Sequence, residues 1–186
     1  LQVYFIDNEE YFHRKAFLHD DDGNLFEDND MRMIFFTKGV LETVKKLGWA
    51  PDIIHCHGWF SSLMPLYVKK LFAQDPHFAD SKLVVSAYGN EFSGVFSKDV
   101  HKKVAFDGFE SEDIAMLKKA NHVNLLKTAL QFADGLILAD DQVSAEVKQF
   151  AEGLELPILH QYQETDYLSA TDEFFDQVLA GKPELA

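Results

Sequence analysis

The sequence predicts an α/β protein built on a doubly wound, mostly parallel sheet. Three observations carry that prediction. Short runs at 52–56, 82–87 and 135–139 are apolar and only five or six residues long. Between them, apolar residues recur every three or four positions, the spacing of an amphipathic helix. The central runs are apolar on both faces, as strands covered by helices on two sides must be.

The elements follow in order. Residues 1–7 (Leu1, Gln2, Val3, Tyr4, Phe5, Ile6, Asp7) read as a β-strand entered in mid-course. The chain starts with Leu1 and lacks the charged start and cleavage site of a signal peptide, so further sequence is expected upstream. Residues 8–30 are polar and acidic and are predicted to form a long loop. Within them, His19-Asp20-Asp21-Asp22-Gly23-Asn24 invites a calcium-loop reading. With Gly23 at the sixth position, however, Leu18 and Asn29 would stand where that loop needs carboxylates, so a solvated turn is expected.

Met33, Phe36, Val40, Val44 and Leu47 predict a helix over 31–47, capped by Gly48. After Pro51 comes the strand at 52–56. Ser61 or Ser62 is expected to cap a second helix running to about Phe72, with Leu63, Leu66, Tyr67 and Leu71 inward. A strand at 82–87 leads into a loop over 88–113. A helix at 121–132, a strand at 135–139, a helix at 143–150 and a short strand at 156–159 follow. A last helical pattern opens at Thr171 and carries Phe174, Phe175, Val178 and Leu179. It is stopped by Gly181-Lys182-Pro183, which reads as a natural end.

Composition narrows the function classes. The 186 residues carry 17 basic and 31 acidic side chains, a formal charge of −14, with 47% hydrophobic residues. That supports a packed core and argues against generic binding of nucleic acid, whose phosphates an acidic surface repels. No apolar run is long enough to span a membrane. The acidity concentrates in residues 1–30 and 151–186. A single domain over 1–186 is expected, with a polar loop at 8–30 and an acidic C-terminal tail at 151–186. The one cysteine, Cys56, fits a reducing, cytoplasmic setting.

In such sheets ligands bind at the C-terminal ends of the strands. The segments to read most closely are therefore His55-Cys56-His57-Gly58-Trp59, Tyr88-Gly89-Asn90-Glu91 and Asp140-Asp141-Gln142. Alternation along a strand puts His55 and His57 on one face and Cys56 on the other. Two histidines are too few for zinc and no second His/Cys cluster exists, so no metal is expected. A Cys56 nucleophile would need a base on its own face, which its neighbours do not supply. There is no Gly-x-Ser-x-Gly elbow. Gly89 and Gly94 belong to neither a Walker loop nor a Gly-x-Gly-x-x-Gly turn. They are either plain loop glycines or points where backbone comes close to a ligand.

Two segments resemble a known family. Residues 49–59, Trp49-Ala50-Pro51-Asp52-Ile53-Ile54-His55-Cys56-His57-Gly58-Trp59, resemble the W-x-P-D-(I/V)-(I/V)-H-x-H-D-W segment of bacterial glycogen synthases and plant starch synthases. Upstream, Asp28-Asn29-Asp30-Met31-Arg32-Met33 is similar to their D-N-x-x-R-F, and Tyr11-Phe12-His13-Arg14 to their Y-F-x-R. Downstream, Val123-Asn124-Leu125-Leu126-Lys127-Thr128-Ala129 with Ala133-Asp134 resembles I-N-(W/F)-(M/L)-K-A-G…A-D. Order and spacing agree over residues 1 to about 150.

The resemblance implies one half of a GT-B glycosyltransferase, the N-terminal, glucan-facing Rossmann-like domain. It implies transfer of glucose from ADP-glucose to an α-1,4-glucan with retention and without metal or other cofactor. It also implies a C-terminal domain, or a partner chain, that completes the cleft. The sequence departs from the family where the reacting sugar should lie. Gly58 replaces the family's Asp, Tyr88 its His, Gly89 its Asn, and Ala139-Asp140-Asp141 its V-S-P.

On this resemblance His57, Tyr88 and Glu91 are the candidate catalytic residues, with Tyr88 and Glu91 as substitutes for the lost groups. Gly58, Trp59, Gly89, Asn124 and Lys127 are the candidate substrate-binding residues. Asn124 and Lys127 fit a packed helix face equally well. Arg32 and Asn29 are expected to tie the long loop to the first helix. Trp59, Phe92 and Phe96, if exposed, would offer faces for sugar rings. The changed positions leave a second possibility open, a non-catalytic α-glucan-binding or regulatory module on a transferase scaffold.

Overall fold

The computed structural model describes residues 2–89, 91–105 and 107–181. The chain forms α1 (Glu9–Phe12), α2 (Asn29–Lys46), β1 (Ile53–His57), α3 (Met64–Lys70), β2 (Lys82–Ala87), α4 (Val100–Ala105), α5 (His122–Leu130), β3 (Gly135–Leu138), α6 (Ala145–Gly153), β4 (Ile158–His160) and α7 (Tyr167–Ala180). The four strands make one parallel sheet in the order β1-β2-β3-β4. The expected α/β architecture is therefore present. Among the described residues the strand order runs in one direction.

Alternation along the strands sorts the two faces. Cys56, Leu83, Val85, Ala87, Leu136 and Leu138 share a core with α2, α3, α5 and α6. Val84 and Ile137 face the other way, against Phe174 and Val178 of α7. Each of those two α7 side chains, once buried, contributes about 1.5–3 kcal/mol. Gly135 lets α7 lie close, because a Cβ there would sit 3.0 Å from both Phe174 and Val178. Helix starts are capped locally. The side chains of Asn121, Ser144 and Asp166 each accept a backbone N–H from the first turn of the helix that follows.

Four expectations change. Residues 2–7 form no strand: among the described residues no backbone ladder pairs with them, and an unpaired strand does not hold. Ile6 instead packs over Gly39 of α2. Neither Ser61 nor Ser62 caps the second helix. Trp59–Ser61 takes a 3₁₀ turn first, and α3 begins behind Leu63 with no side-chain cap and Pro65 in its first turn. The Ser61 hydroxyl donates to the carbonyl of His57 at 2.9 Å. The 88–113 loop contains the short α4. The last helix starts at Tyr167, four residues before Thr171, because Asp166 caps it. It ends at Gly181 with φ +77°. Lys182 and Pro183 of the expected stop lie outside the described residues, as does Asn90.

The polar loop is organised from within by one buried cation. Arg32 is 1% exposed and donates to the carbonyls of Tyr11 and Phe17 and to Oδ1 of Asn29. Asn29 in turn donates to the carbonyl of Leu18 at 2.9 Å. The Arg32 guanidinium lies 5.3–5.8 Å from the ring centres of Phe12, Phe17, Phe26 and Phe60. Arg32 and Asn29 thus tie the loop to α2, as the sequence suggests. Asp20 closes its own turn by accepting the N–H groups of Asp22 and Asn24. That is a solvated turn of the expected kind.

Candidate active site

The C-terminal ends of β1, β2 and β3 bring His57, Tyr88, Gly89 and Asp140 to one edge of the sheet. His57 Nδ1 lies 2.9 Å from the Tyr88 hydroxyl. His57 Nε2 lies 3.2 Å from His55 Nδ1, and the two rings are 4.0 Å apart. The shared face of the two histidines follows from strand alternation. Cys56 points into the core, where burial pushes its thiol up to about 12. It has no role at this edge.

Electrostatics keep the site uncharged at its centre. Burial, and then the neighbouring His57, lowers His55 to about 4. Burial also lowers His57. Both imidazoles are neutral at neutral pH and each offers one donor and one acceptor nitrogen. The Tyr88 phenol is raised by burial and by the charges of Glu91 and Asp140. Among the described residues, no lysine or arginine forms an ion pair with Glu91, Asp140 or Asp141. The edge is a neutral polar pair set in a negative surround.

Two glycines explain how the neighbouring loops fit. Gly58 has φ +66°, a conformation favouring glycine, and a Cβ there would lie 2.5 Å from Oε1 of Glu91. The Glu91 carboxylate fills that space. Its Oε2 accepts the N–H of Trp59 at 2.9 Å and faces Nε2 of the buried His122 at 3.2 Å. At Gly89 a Cβ would lie 2.8 Å from Cβ of Gln142. Here the backbone passes so close to the β3 end that a side chain would force a shift.

The other candidates divide. Trp59 is 3% exposed, packed 4.9–5.9 Å from Phe60, Phe96, Phe17 and Phe92. Phe92 and Phe96 are each 6% exposed and stack on one another at 4.6 Å. None of the three offers a free face to a sugar, because burying these rings together removes more apolar area from water. Trp59 instead supports the turn beyond His57 from below. The Asn124 side chain donates to the carbonyl of Lys119 at 2.8 Å, and the Lys127 ammonium meets Glu146 at 2.5 Å. Neither hydrogen-bonds to His57, Tyr88 or Glu91, and both tie α5 to its neighbours.

Sequence reasoning did not reach His122, which holds Glu91, or Ser86, whose hydroxyl lies 2.8 Å from His55 Nε2. The strand register puts Ser86 beside His57 and on the face of His55. That pairing is invisible until β1 and β2 are aligned. Among the described residues no three His, Cys, Asp or Glu side chains form a group able to hold a metal. No helix among them is long and apolar enough to cross a membrane.

Comparison with known proteins gives the family. The family model for the starch synthase catalytic domain matches residues 1–160. The chain is 37% identical over 135 residues to the glycogen synthase of Chlorobium limicola, covering 72% of this chain and 27% of that one. It is 32% identical over 155 residues to the glycogen synthase of Clostridium perfringens, covering 82% and 31%. It thus spans a little under a third of the length of these relatives. The fold is similar to the catalytic domain of starch synthase IV from Arabidopsis thaliana bound to ADP and acarbose. The TM-score is 0.58 at 21% identity, over 81% of this chain and 32% of that chain. The sheet is accordingly a Rossmann-like α/β part of a GT-B architecture, and the chain belongs to the starch synthase catalytic-domain family.

Proposed function

We propose that this chain is part of the glucan-facing half of a glycogen/starch-synthase-like glucosyltransferase. It would help transfer glucose from ADP-glucose to the non-reducing end of an α-1,4-glucan, with retention. The observation that carries this reading is the His57–Tyr88 pair, hydrogen-bonded at 2.9 Å on the ligand-binding edge of a sheet from this family.

The electrostatics favour a neutral, hydroxyl-rich ligand at this edge. Neutral imidazoles and a phenol suit sugar hydroxyls. The negative surround disfavours a diphosphate, so the nucleotide would be held by groups outside this chain, on a C-terminal domain or a partner chain. His57 and Tyr88 would contact the reacting sugar. Glu91 would hold the turn that positions His57. Gly58 and Gly89 would shape the floor, and Trp59, Asn124 and Lys127 would support it from behind. No metal or other cofactor is invoked. Alone, the chain is expected to be inactive.

The test is incorporation of labelled glucose from ADP-glucose into glycogen by the full-length protein, with UDP-glucose in parallel. Turnover that disappears in His57→Ala supports the transferase. A second reading, a glucan-binding module without turnover, is favoured by one observation: the spaces beside Gly58 and Gly89 are already filled by Glu91 and Gln142. Retention on a glycogen affinity gel with no turnover would select it.

A further inference from the structure

The hydrogen bonds at the strand ends do not stop at His57 and Tyr88. Ser86 Oγ lies 2.8 Å from His55 Nε2, His55 Nδ1 lies 3.2 Å from His57 Nε2, and His57 Nδ1 lies 2.9 Å from the Tyr88 hydroxyl. The four groups form one continuous wire. Its inner end is buried, with Ser86 1% exposed, and its outer end reaches the surface at His57 and the half-buried Tyr88. Phe175 of α7 meets the His55 ring edge-on at 5.2 Å and fixes its plane.

A neutral imidazole has one donor and one acceptor nitrogen. The wire therefore has only two self-consistent proton arrangements. In the first, Tyr88 donates to His57 Nδ1, His57 Nε2–H donates to His55 Nδ1, and His55 Nε2–H donates to Ser86. In the second every bond is reversed, and the Tyr88 O–H is free. No single bond can reverse alone without setting two N–H groups, or two lone pairs, against each other. The first arrangement gives both rings the Nε2–H form that imidazole prefers in water. It leaves the Tyr88 oxygen with lone pairs only toward the cleft.

We propose that Ser86 and His55 are positioning residues that keep the proton of His57 on Nε2, and so make Tyr88 a hydrogen-bond acceptor toward a ligand hydroxyl. The nature of that ligand rests on the glucan-facing reading above; the wire itself does not. A sugar hydroxyl, which can donate, is matched by Tyr88. A phosphate oxygen, which only accepts, meets lone pair against lone pair.

The experiment is a long-range proton–nitrogen spectrum of the ¹⁵N-histidine-labelled chain at neutral pH, with His57 assigned from the spectrum of His57→Gln. The wild type is expected to show His57 as one tautomer, Nε2 protonated and Nδ1 bare. In Ser86→Ala, His55 loses its acceptor and turns toward its other tautomer. The two His57 nitrogens should then move toward each other in shift, although residue 86 makes no hydrogen bond to His57. Tyr88→Phe, at the exposed end, should have the same effect on His57, with the Ser86–His55 contact kept and its direction reversing together with the His57 tautomer. An averaged or Nδ1-protonated His57 in the wild type overturns the proposal. So do His57 shifts that stay put in both variants. The readout needs no turnover, so a chain without transferase activity leaves the wire standing. An active transferase with an averaged His57 removes the wire and keeps the function.

Discussion

Asp140, just beyond β3, accepts the backbone N–H of Gly89, just beyond β2, at 2.8 Å. Its second oxygen accepts the N–H of Gln142 at 2.9 Å. One carboxylate thus ties two neighbouring strand ends beside the His57–Tyr88 pair. Asp140→Ala leaves both N–H groups without their acceptor and should lower stability by about 1–3 kcal/mol. Urea unfolding checks this as a lower midpoint at an unchanged slope. An unchanged midpoint would mean that water replaces the carboxylate at no cost.

Gly58 and Glu91 should be energetically coupled. Gly58→Ala meets two separate obstacles, the positive φ and the carboxylate 2.5 Å from the new Cβ. The first alone costs about 1–2 kcal/mol. Glu91→Ala removes only the second. In a double-mutant cycle, Gly58→Ala should therefore be less harmful in the Glu91→Ala background than in the parent. Additive losses would show that Glu91 swings aside freely.

Arg32 is a structural cation that makes no salt bridge to a carboxylate among the described residues, Asp28 acting on it only at longer range. Arg32→Met should cost about 3 kcal/mol, because the carbonyls of Tyr11 and Phe17 lose their donor in a closed aromatic box. Arg32→Lys should recover only part of this, since an ammonium cannot reproduce the planar fork that reaches three acceptors. Denaturant unfolding of the two variants decides it.

Acid should destabilise the fold through His55. In the unfolded chain an ordinary histidine binds its proton near pH 6.5, whereas folded His55 resists protonation down to about 4. Between those values the unfolded state holds more protons, so stability falls as pH drops. His57, lowered in the same direction, adds to the slope below its unfolded value. The melting temperature should decline from pH 6.5 toward 4, and less steeply in His55→Gln. Parallel curves would remove His55 as the cause.

Cys56 should be inert in the folded state. It is 3% exposed, and burial holds its thiol near 12, so almost no thiolate exists at neutral pH. A thiol reagent should label it only at the rate of global unfolding. Fast labelling of native protein would contradict the packing of β1.

Much of this arrangement was legible in the sequence. β1, β2 and β3 are short apolar runs between periodic segments, and the shared face of His55 and His57 follows from alternation alone. What escaped depends on partners far apart in the chain. Residues 2–7 have strand-forming side chains, yet strands exist only as pairs, and pairing is not a property of one segment. Whether Trp59, Phe92 and Phe96 are exposed stays open in the sequence, because composition does not say which aromatics find each other. No motif gives Ser86 or His122 a role, and their roles arise only from the β1–β2 register and the start of α5.

The edge-on contact of Phe175 with His55 gives the last helix a bearing on proteolysis. Residues 161–166 link β4 to α7 and lie largely at the surface, where a protease can reach the backbone. A nick there that released α7 would uncover Val84 and Ile137, now fully buried, as one apolar strip on the sheet. It would also strip the support from behind the histidine pair. Clipped protein should therefore become self-associating at the same moment that its strand-end chemistry loosens.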